Sequence, residues 1–229
     1  MTGEPFTPEE KEIISTVSRF VEERVRPHVQ QLEREGKYPQ DLVDEMRGLG
    51  LFGLTVPESH GGLGARVPVL AAIFEVLASG WTTLAAYVNS HATVAYAIAT
   101  HGTEDQKSRY LPGLATGEHR GSLCLTEPGC GSDLQAIKGL AKDAGDHYDL
   151  TASKTYVTNG AKATLLLTLV KHPLAAGEAK PRISLLIIEK AYRNVSVTST
   201  FEKTAFHLVD TVQVEMDGVA VPKSQLLGT

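Results

Sequence analysis

Residues 123–133 read Leu-Cys-Leu-Thr-Glu-Pro-Gly-Cys-Gly-Ser-Asp, and residues 154–160 read Lys-Thr-Tyr-Val-Thr-Asn-Gly. Each segment predicts a short strand that ends in a polar turn containing glycine. Side chains two positions apart on a strand share a face, so Tyr156 and Thr158 should lie side by side. A ring next to a hydroxyl suits a flat heteroaromatic ligand, and an ordinary edge strand is the alternative interpretation.

The turn after the first strand has the composition of a phosphate-binding loop. Gly129 and Gly131 allow positive φ angles and close backbone approach, and Ser132 adds a hydroxyl donor to the backbone N–H groups. The alternative interpretation is a surface turn whose serine and aspartate cap the next segment. A dinucleotide-binding fingerprint of the parallel-sheet kind is excluded, because it requires glycine where Leu134 stands.

Outward from these two segments, the chain divides into a helical half and a strand half. Apolar residues recur at helical spacing near the N-terminus, as at Ile13, Val17 and Val21, whereas short strands follow one another from Gly121 onward. No helices separate those strands, which favours an antiparallel barrel or sandwich. The predicted fold is therefore multi-domain α and β: an all-α N-terminal domain, residues 1–118, followed by an antiparallel β-barrel domain, residues 119–229.

The element boundaries follow from helix caps and turn residues. The predicted strands are Gly121–Thr126, Lys138–Ala144, His147–Leu150, Thr155–Val157, Leu165–Lys171, Ile183–Glu189, Val195–Phe201 and Thr211–Met216. Asp217-Gly218 is predicted to be a turn, and Leu174–Pro181 a mobile loop. A short helix should begin after Thr103 and run to about Tyr110, with Pro112 and Gly113 as its terminators.

Composition narrows the class of protein. The chain has 229 residues, a formal net charge of −5 and no dense basic run, which argues against nucleic acid as a partner. The uncharged stretch from Thr82 to Ala99 is rich in alanine and threonine, so it indicates a buried helix and no membrane span. The two cysteines have no partners at zinc spacing, and no secretory signal is visible; we expect no metal site and a cytoplasmic protein.

Single residues with reactive side chains have structural explanations. His91, on the apolar stretch, is interpreted as a hydrogen-bonded core histidine, and Glu127 as a carboxylate bonded to nearby backbone. No Ser-His-Asp set or carboxylate pair occurs at a useful spacing. No catalytic residue is therefore assigned within this chain.

The order of further motifs adds a resemblance to a known family. These motifs are Gly102-Thr103-Glu104-Asp105-Gln106-Lys107, Tyr110-Leu111-Pro112, Thr116-Gly117-Glu118, Gly145-Asp146-His147-Tyr148 and the segment Val221–Gly228. Together with residues 123–133 and 154–160, the series resembles the acyl-CoA dehydrogenase family across essentially the whole chain. The resemblance implies FAD as cofactor, α,β-dehydrogenation of an acyl-CoA thioester as the reaction, and an electron-transferring flavoprotein as electron acceptor.

The resemblance also assigns roles by position. The positions that it gives to the cofactor are Leu123, Leu125, Thr126, Gly131, Ser132, Tyr156 and Thr158. Tyr156 would pack against the isoalloxazine, where many relatives have tryptophan, and Thr158 would hydrogen-bond near its N5. The positions that it gives to the acyl-CoA ligand are Ser132, Asn89 and Thr93, with simple helix packing as the other interpretation of the last two.

The family pattern extends beyond these residues. Its members continue with a third, helical domain that carries the catalytic base of most relatives, and the resemblance implies a homo-oligomer where that domain is present. Two other hypotheses stay open from the sequence. One is a non-catalytic flavin- or acyl-CoA-binding homologue or split-enzyme subunit, and the other is a related flavin oxidase or monooxygenase.

Overall fold

The computed structural model describes residues 6–173 and 181–228, so most of the loop predicted at Leu174–Pro181 lies outside the described residues. Its N-terminal part is helical. The helices are α1 (Pro8–Phe20), α2 (Val29–Glu35), α3 (Gln40–Gly48), α4 (Val67–His101) and α5 (Glu104–Ala115), with a π-helical turn at Val21–Val25. The C-terminal part is a curled sheet, and the predicted helix-then-sheet fold class is confirmed.

Capping boxes start α1 and α5 as the sequence predicts. The Thr7 hydroxyl accepts from the Glu10 N–H while the Glu10 carboxylate accepts from the Thr7 N–H, and Thr103 and Gln106 repeat the exchange. The predicted end of α5 at Pro112 is wrong, because the helix continues to Ala115. Burial of Leu111 and Leu114 offsets the single backbone hydrogen bond that Pro112 cannot donate.

The long helix α4 joins the two parts of the molecule. It is kinked at Trp81, which has non-helical backbone angles and whose indole N–H donates to Glu33 at 2.8 Å. By length and mean hydropathy, 1.6 over its most apolar window, α4 could cross a membrane. However, Ile73 and Leu77 are buried in the helical core, and Val94 and Ile98 are buried against the sheet. These contacts are those of a central core helix.

The strands form a mixed sheet. They are β1 (Gly121–Cys124), β2 (Leu140–Asp143), β3 (His147–Thr158), β4 (Leu165–Lys171), β5 (Ile183–Glu189), β6 (Val195–Thr200) and β7 (Thr211–Pro222). Their order is β1-β4-β2-β3-β7-β6, with β5 on the other side of β4. The expectation of a uniformly antiparallel sheet needs correction, because β1 and β2 both pair with β4 in parallel. No pairing joins β5 to β6 within the described ranges.

Two bulges make β3 and β7 longer than predicted. The pair Asp217-Gly218 is not a turn between strands: Thr151 of β3 lies opposite both residues, and Gly218 takes a φ of 64°. In the second bulge, Thr155 and Tyr156 together lie opposite Gln213. A bulge places one extra residue in one strand and strengthens the local twist, so a long strand can bend without ending.

Two apolar layers hold the sheet in place. One face of each strand points into the curl, where Cys124, Leu166 and Val214 are buried. On the outer face, Leu165 and Leu167 of β4 pack with Val94 and Ile98 of α4. The backbone of β1 approaches α4 so closely that a Cβ on Gly121 would lie 2.7 Å from the Val94 Cβ. Because of this contact, β1 lies directly beside α4.

Candidate functional site

A depression of about 230 Å³ lies between α4, β1 and β3. We call it the slot. The residues that line it are Asn89, Ser90, Thr93, Leu123, Leu125, Thr126, Thr155, Tyr156 and Thr158. The sequence-predicted residues on α4, β1 and β3 are thus brought together, whereas Gly131 and Ser132 are exposed on the adjoining turn and do not line it. Sequence reasoning missed Ser90 and Thr155.

Tyr156 has the least ordinary conformation in the slot. It lies in the β3 bulge with a φ of 55°, a left-handed angle that is costly for a residue with a bulky side chain. The residue is 64% exposed, and its ring tilts against Phe201 with 4.9 Å between the ring centroids. The bulge also brings Thr155, Tyr156 and Thr158 to the same slot, although strict alternation would turn Thr155 away.

The slot combines apolar walls with free hydroxyl groups. Leu123 and Leu125 supply the apolar side, and the Thr155 N–H donates to the Thr126 carbonyl at 2.9 Å, which joins the end of β1 to β3. Within residues 6–173 and 181–228, the hydroxyls of Thr126 and Thr158 have no hydrogen-bond partner. They remain available to donate to, or accept from, a ligand in the slot.

A buried ion pair supports the segment that carries Thr126. Lys154, whose side chain is fully buried, donates to Glu127 at 2.7 Å and to the Leu125 carbonyl at 3.2 Å. Glu127 also accepts from the backbone N–H groups of Lys138 at 2.6 Å and Gly139 at 2.9 Å. Burial raises the pKa of Glu127, but the hydrogen bonds from Lys154 and the two N–H groups outweigh it and hold this pKa below its usual value. The structural interpretation of Glu127 is confirmed.

The turn that follows Glu127 is tight and exposed. Glu127 and Cys130 exchange backbone hydrogen bonds of 3.0 and 3.1 Å across Pro128 and Gly129. Neither Gly129 nor Gly131 uses the positive φ that glycine allows. A Cβ on Gly129 would meet nothing within 4 Å, and one on Gly131 would meet only a Thr126 methyl carbon at 3.7 Å. Contacts within the described chain therefore give no reason for glycine at either position.

His91 connects the helical part to β1 behind the slot. It is 1% exposed, and its Nε2 lies 3.0 Å from the carbonyl oxygens of both Phe52 and Leu114. Its Nδ1 accepts from the Gly121 N–H at 3.2 Å, which leaves the proton on Nε2. Burial, with a smaller contribution from the charge of Arg120, lowers the pKa of His91 to about 4. The histidine is a structural connector, as the sequence analysis expects.

This environment makes the fold sensitive to acid. A folded pKa of about 4, below the ordinary 6.5, means that the unfolded chain binds the proton first as the pH falls. The stabilisation from neutral His91 is complete above pH 6.5 and is lost toward pH 4, by about 2 kcal/mol at pH 5. Urea unfolding at pH 7 and pH 5 should show this loss in the parent protein and not in His91→Gln. Equal losses in both proteins would contradict the assignment.

The described residues contain no group of His, Cys, Asp or Glu side chains that could hold a metal ion. The two cysteines, Cys124 and Cys130, are both free thiols. The chemistry that the slot offers is therefore that of an aromatic ring, apolar walls and unpaired hydroxyls, which suits a flat organic ligand with heteroatoms at its edge.

Comparisons with known proteins agree with this arrangement. Residues 7–118 match the family model for the acyl-CoA dehydrogenase N-terminal domain, and residues 122–219 match that for the acyl-CoA dehydrogenase middle domain. Glutaryl-CoA dehydrogenase of Desulfococcus multivorans is 36% identical over 93% of this chain. A glutaryl-coenzyme A dehydrogenase in complex with glutaryl-CoA superposes with a TM-score of 0.90 at 32% identity over 100% of this chain. An acyl-CoA dehydrogenase from Bacillus anthracis complexed with FAD gives a TM-score of 0.88 at 33% identity, also over 100% of this chain.

The chain spans about half the length of the curated relatives it matches. It covers 55% of the Desulfococcus enzyme, 58% of the glutaryl-CoA complex chain and 40% of the Bacillus anthracis chain. The similarity extends over the helical part and the sheet. Because it covers only part of each relative, it does not by itself assign the activity of a whole relative to this chain.

Proposed function

The chain belongs to the acyl-CoA dehydrogenase family, and on that premise we propose that it binds FAD and an acyl-CoA thioester for α,β-dehydrogenation of the acyl chain. The observation that carries the proposal is the slot, where an exposed tyrosine ring in a strained conformation meets unpaired threonine hydroxyls. Strain of this kind persists where the surrounding structure enforces it, and it concentrates at functional sites.

The residues that line the slot have the chemistry that a flavin requires. The Tyr156 ring offers a stacking face, and Leu123 and Leu125 exclude water from one side. The hydroxyls of Thr126 and Thr158 supply hydrogen bonds to ring heteroatoms. When bound, FAD supplies the two-electron acceptor of the reaction. The residues of this chain orient the ring and keep its surroundings dry.

The turn at residues 128–132 is proposed to hold the phosphate end of the cofactor or the neighbouring thioester ligand. Its glycines have neither a positive φ nor a close internal contact. We propose that glycine is needed there because an external group approaches the backbone closely. Gly131 and Ser132 are exposed residues, and their N–H groups, with the Ser132 hydroxyl, are the donors that we propose for this contact.

The acyl side of the slot is proposed to lie along α4. Asn89 and Thr93 are exposed one helical turn apart, and both line the slot together with Leu125. No carboxylate lines the slot within the described residues, and Glu127 is engaged by Lys154, so no base for the α proton is assigned to them. An electron-transferring flavoprotein as electron acceptor and a cytoplasmic location belong to the same proposal.

A spectroscopic experiment tests this function. The protein is loaded with FAD under anaerobic conditions and mixed with acyl-CoAs of different chain length and branching. Bleaching of the visible flavin band by a thioester supports dehydrogenation. Bound flavin that no acyl-CoA bleaches favours a non-catalytic binding protein or a split-enzyme subunit. Oxygen consumption without any response to thioesters favours a flavin oxidase or monooxygenase.

A further inference from the structure

Asn159 connects the two sides of the slot. It follows Thr158 at the end of β3 and is 4% exposed. Its Nδ2 donates to the Ala86 carbonyl at 3.0 Å and to the Ser90 hydroxyl at 2.7 Å, both on α4. The sequence predicts only a turn pair at Asn159-Gly160, whereas in the structure the Asn159 side chain joins strand and helix.

The position of this contact matters because α4 meets the sheet part through hydrogen bonds at separate places. His91 accepts from Gly121 at the start of β1, and Tyr87 donates to the Leu208 carbonyl at 2.7 Å before β7. Asn159 supplies the contact at the end of β3, next to Tyr156 and Thr158. The slot lies between α4, β1 and β3, and the Asn159 contact ties its β3 side to α4.

The backbone conformation of Asn159 distinguishes between two explanations for the presence of asparagine at this position. Its φ of 60° is left-handed, a conformation that glycine adopts at least as easily. If the residue only formed a turn, glycine would be sufficient there and the side-chain amide would make no hydrogen bonds. The amide instead has both of its N–H groups engaged, on a helical turn that includes the slot residue Ser90.

We propose that Asn159 is a positioning residue that sets the width of the slot by holding Tyr156 and Thr158 against α4. The proposal rests on the proposed function, because the slot is taken to receive the flavin. Asn159 does not touch the ligand in this account. It acts through Thr158, the residue before it, and through Ser90, the hydroxyl that it donates to.

The substitution Asn159→Gly keeps the left-handed backbone and removes the amide. The matched control is Asn194→Gly: Asn194 has a φ of 68°, lies near the other end of β7, and contacts the Gly218 carbonyl at 3.5 Å. Both substitutions change the entropy of the unfolded chain alike. Ser90→Ala removes only the hydroxyl acceptor and serves as a milder second variant.

We measure FAD affinity, the fluorescence of bound flavin, and amide hydrogen exchange of the α4 segment 84–93 without ligand. Asn159→Gly should weaken FAD binding about 5- to 10-fold, make bound flavin more fluorescent, and speed exchange in this segment. Ser90→Ala should change the same quantities in the same direction by less, and Asn194→Gly should match the parent protein.

Hydrogen exchange keeps the two proposals separable. If the parent protein binds no FAD, the proposed function fails, while faster exchange in Asn159→Gly alone still supports the positioning role. Unchanged exchange and unchanged FAD affinity in Asn159→Gly would overturn the positioning role and leave the proposed function standing.

Discussion

Replacement of Glu127 by glutamine is expected to lower the free energy of unfolding by about 3–5 kcal/mol. The substitution leaves the fully buried Lys154 ammonium without its carboxylate, and a buried unpaired charge is among the costliest defects in a fold. It also weakens the acceptor for the backbone N–H groups of Lys138 and Gly139. Urea unfolding monitored by circular dichroism measures the change.

Two further variants separate burial from charge pairing. Glu22 pairs with Arg26 at the same 2.7 Å, but its side chain is 62% exposed, so Glu22→Gln should change the unfolding free energy by less than about 1 kcal/mol. Glu127→Gln combined with Lys154→Met removes both members of the buried pair and should recover at least half of the loss. Similar effects of the Glu22 and Glu127 substitutions on the unfolding free energy would show that the buried pair stabilises the fold no more than the exposed pair.

The second large effect is expected in ligand binding. Tyr156→Asn should weaken FAD binding about 10- to 100-fold, because the stacking face of the slot is lost. Asparagine tolerates the left-handed backbone of this bulge better than tyrosine, which compensates for the lost packing against Phe201. The unfolding free energy should therefore stay within about 1 kcal/mol of the parent value. Binding and stability are measured on the same preparations.

Tyr96 provides the control for this substitution. It is another exposed tyrosine, at 57%, on α4 outside the residues that line the slot. Tyr96→Asn should leave FAD affinity within about 2-fold of the parent protein, a difference of roughly 0.4 kcal/mol. Tyr156→Phe keeps the ring and should retain most of the affinity. Equal weakening by Tyr96→Asn and Tyr156→Asn would mean that the Tyr156 ring has no specific part in binding.

Local patterns in the sequence were sufficient to predict the helix-then-sheet order. Capping boxes at Thr7 and Thr103 are complete within four residues, so they can be identified without knowledge of the fold. The bounds of β4 and β5 agree with the prediction because each is a mostly apolar run that ends at a charged residue, Lys171 or Glu189. The relative orientation of the strands cannot be predicted from local patterns in this way. The parallel pairing of Gly121 with Leu165 joins segments that are far apart in the chain.

Some residues of the candidate site could likewise be predicted from the sequence, and others depend on the fold. The family resemblance pointed to Tyr156 and Thr158, and strand alternation placed them on one side. The bulge that adds Thr155 to the slot depends on the register between β3 and β7, which no local pattern encodes. The contact of Asn159 with α4 depends on how the sheet packs against the helix. A turn pair such as Asn-Gly carries no signal of that contact.

The most direct test of the account is titration of the full chain with FAD, followed by flavin fluorescence, in the parent protein and in Leu125→Trp. Leu125 lines the slot, and a tryptophan there would fill part of its roughly 230 Å³. The substitution changes neither side chain of the buried Glu127–Lys154 pair and keeps the Leu125 carbonyl to which Lys154 also donates. The account predicts saturable FAD binding by the parent protein and at least a 10-fold loss in the variant, about 1.4 kcal/mol. Saturable binding of equal affinity in both proteins, or none in the parent, would contradict it.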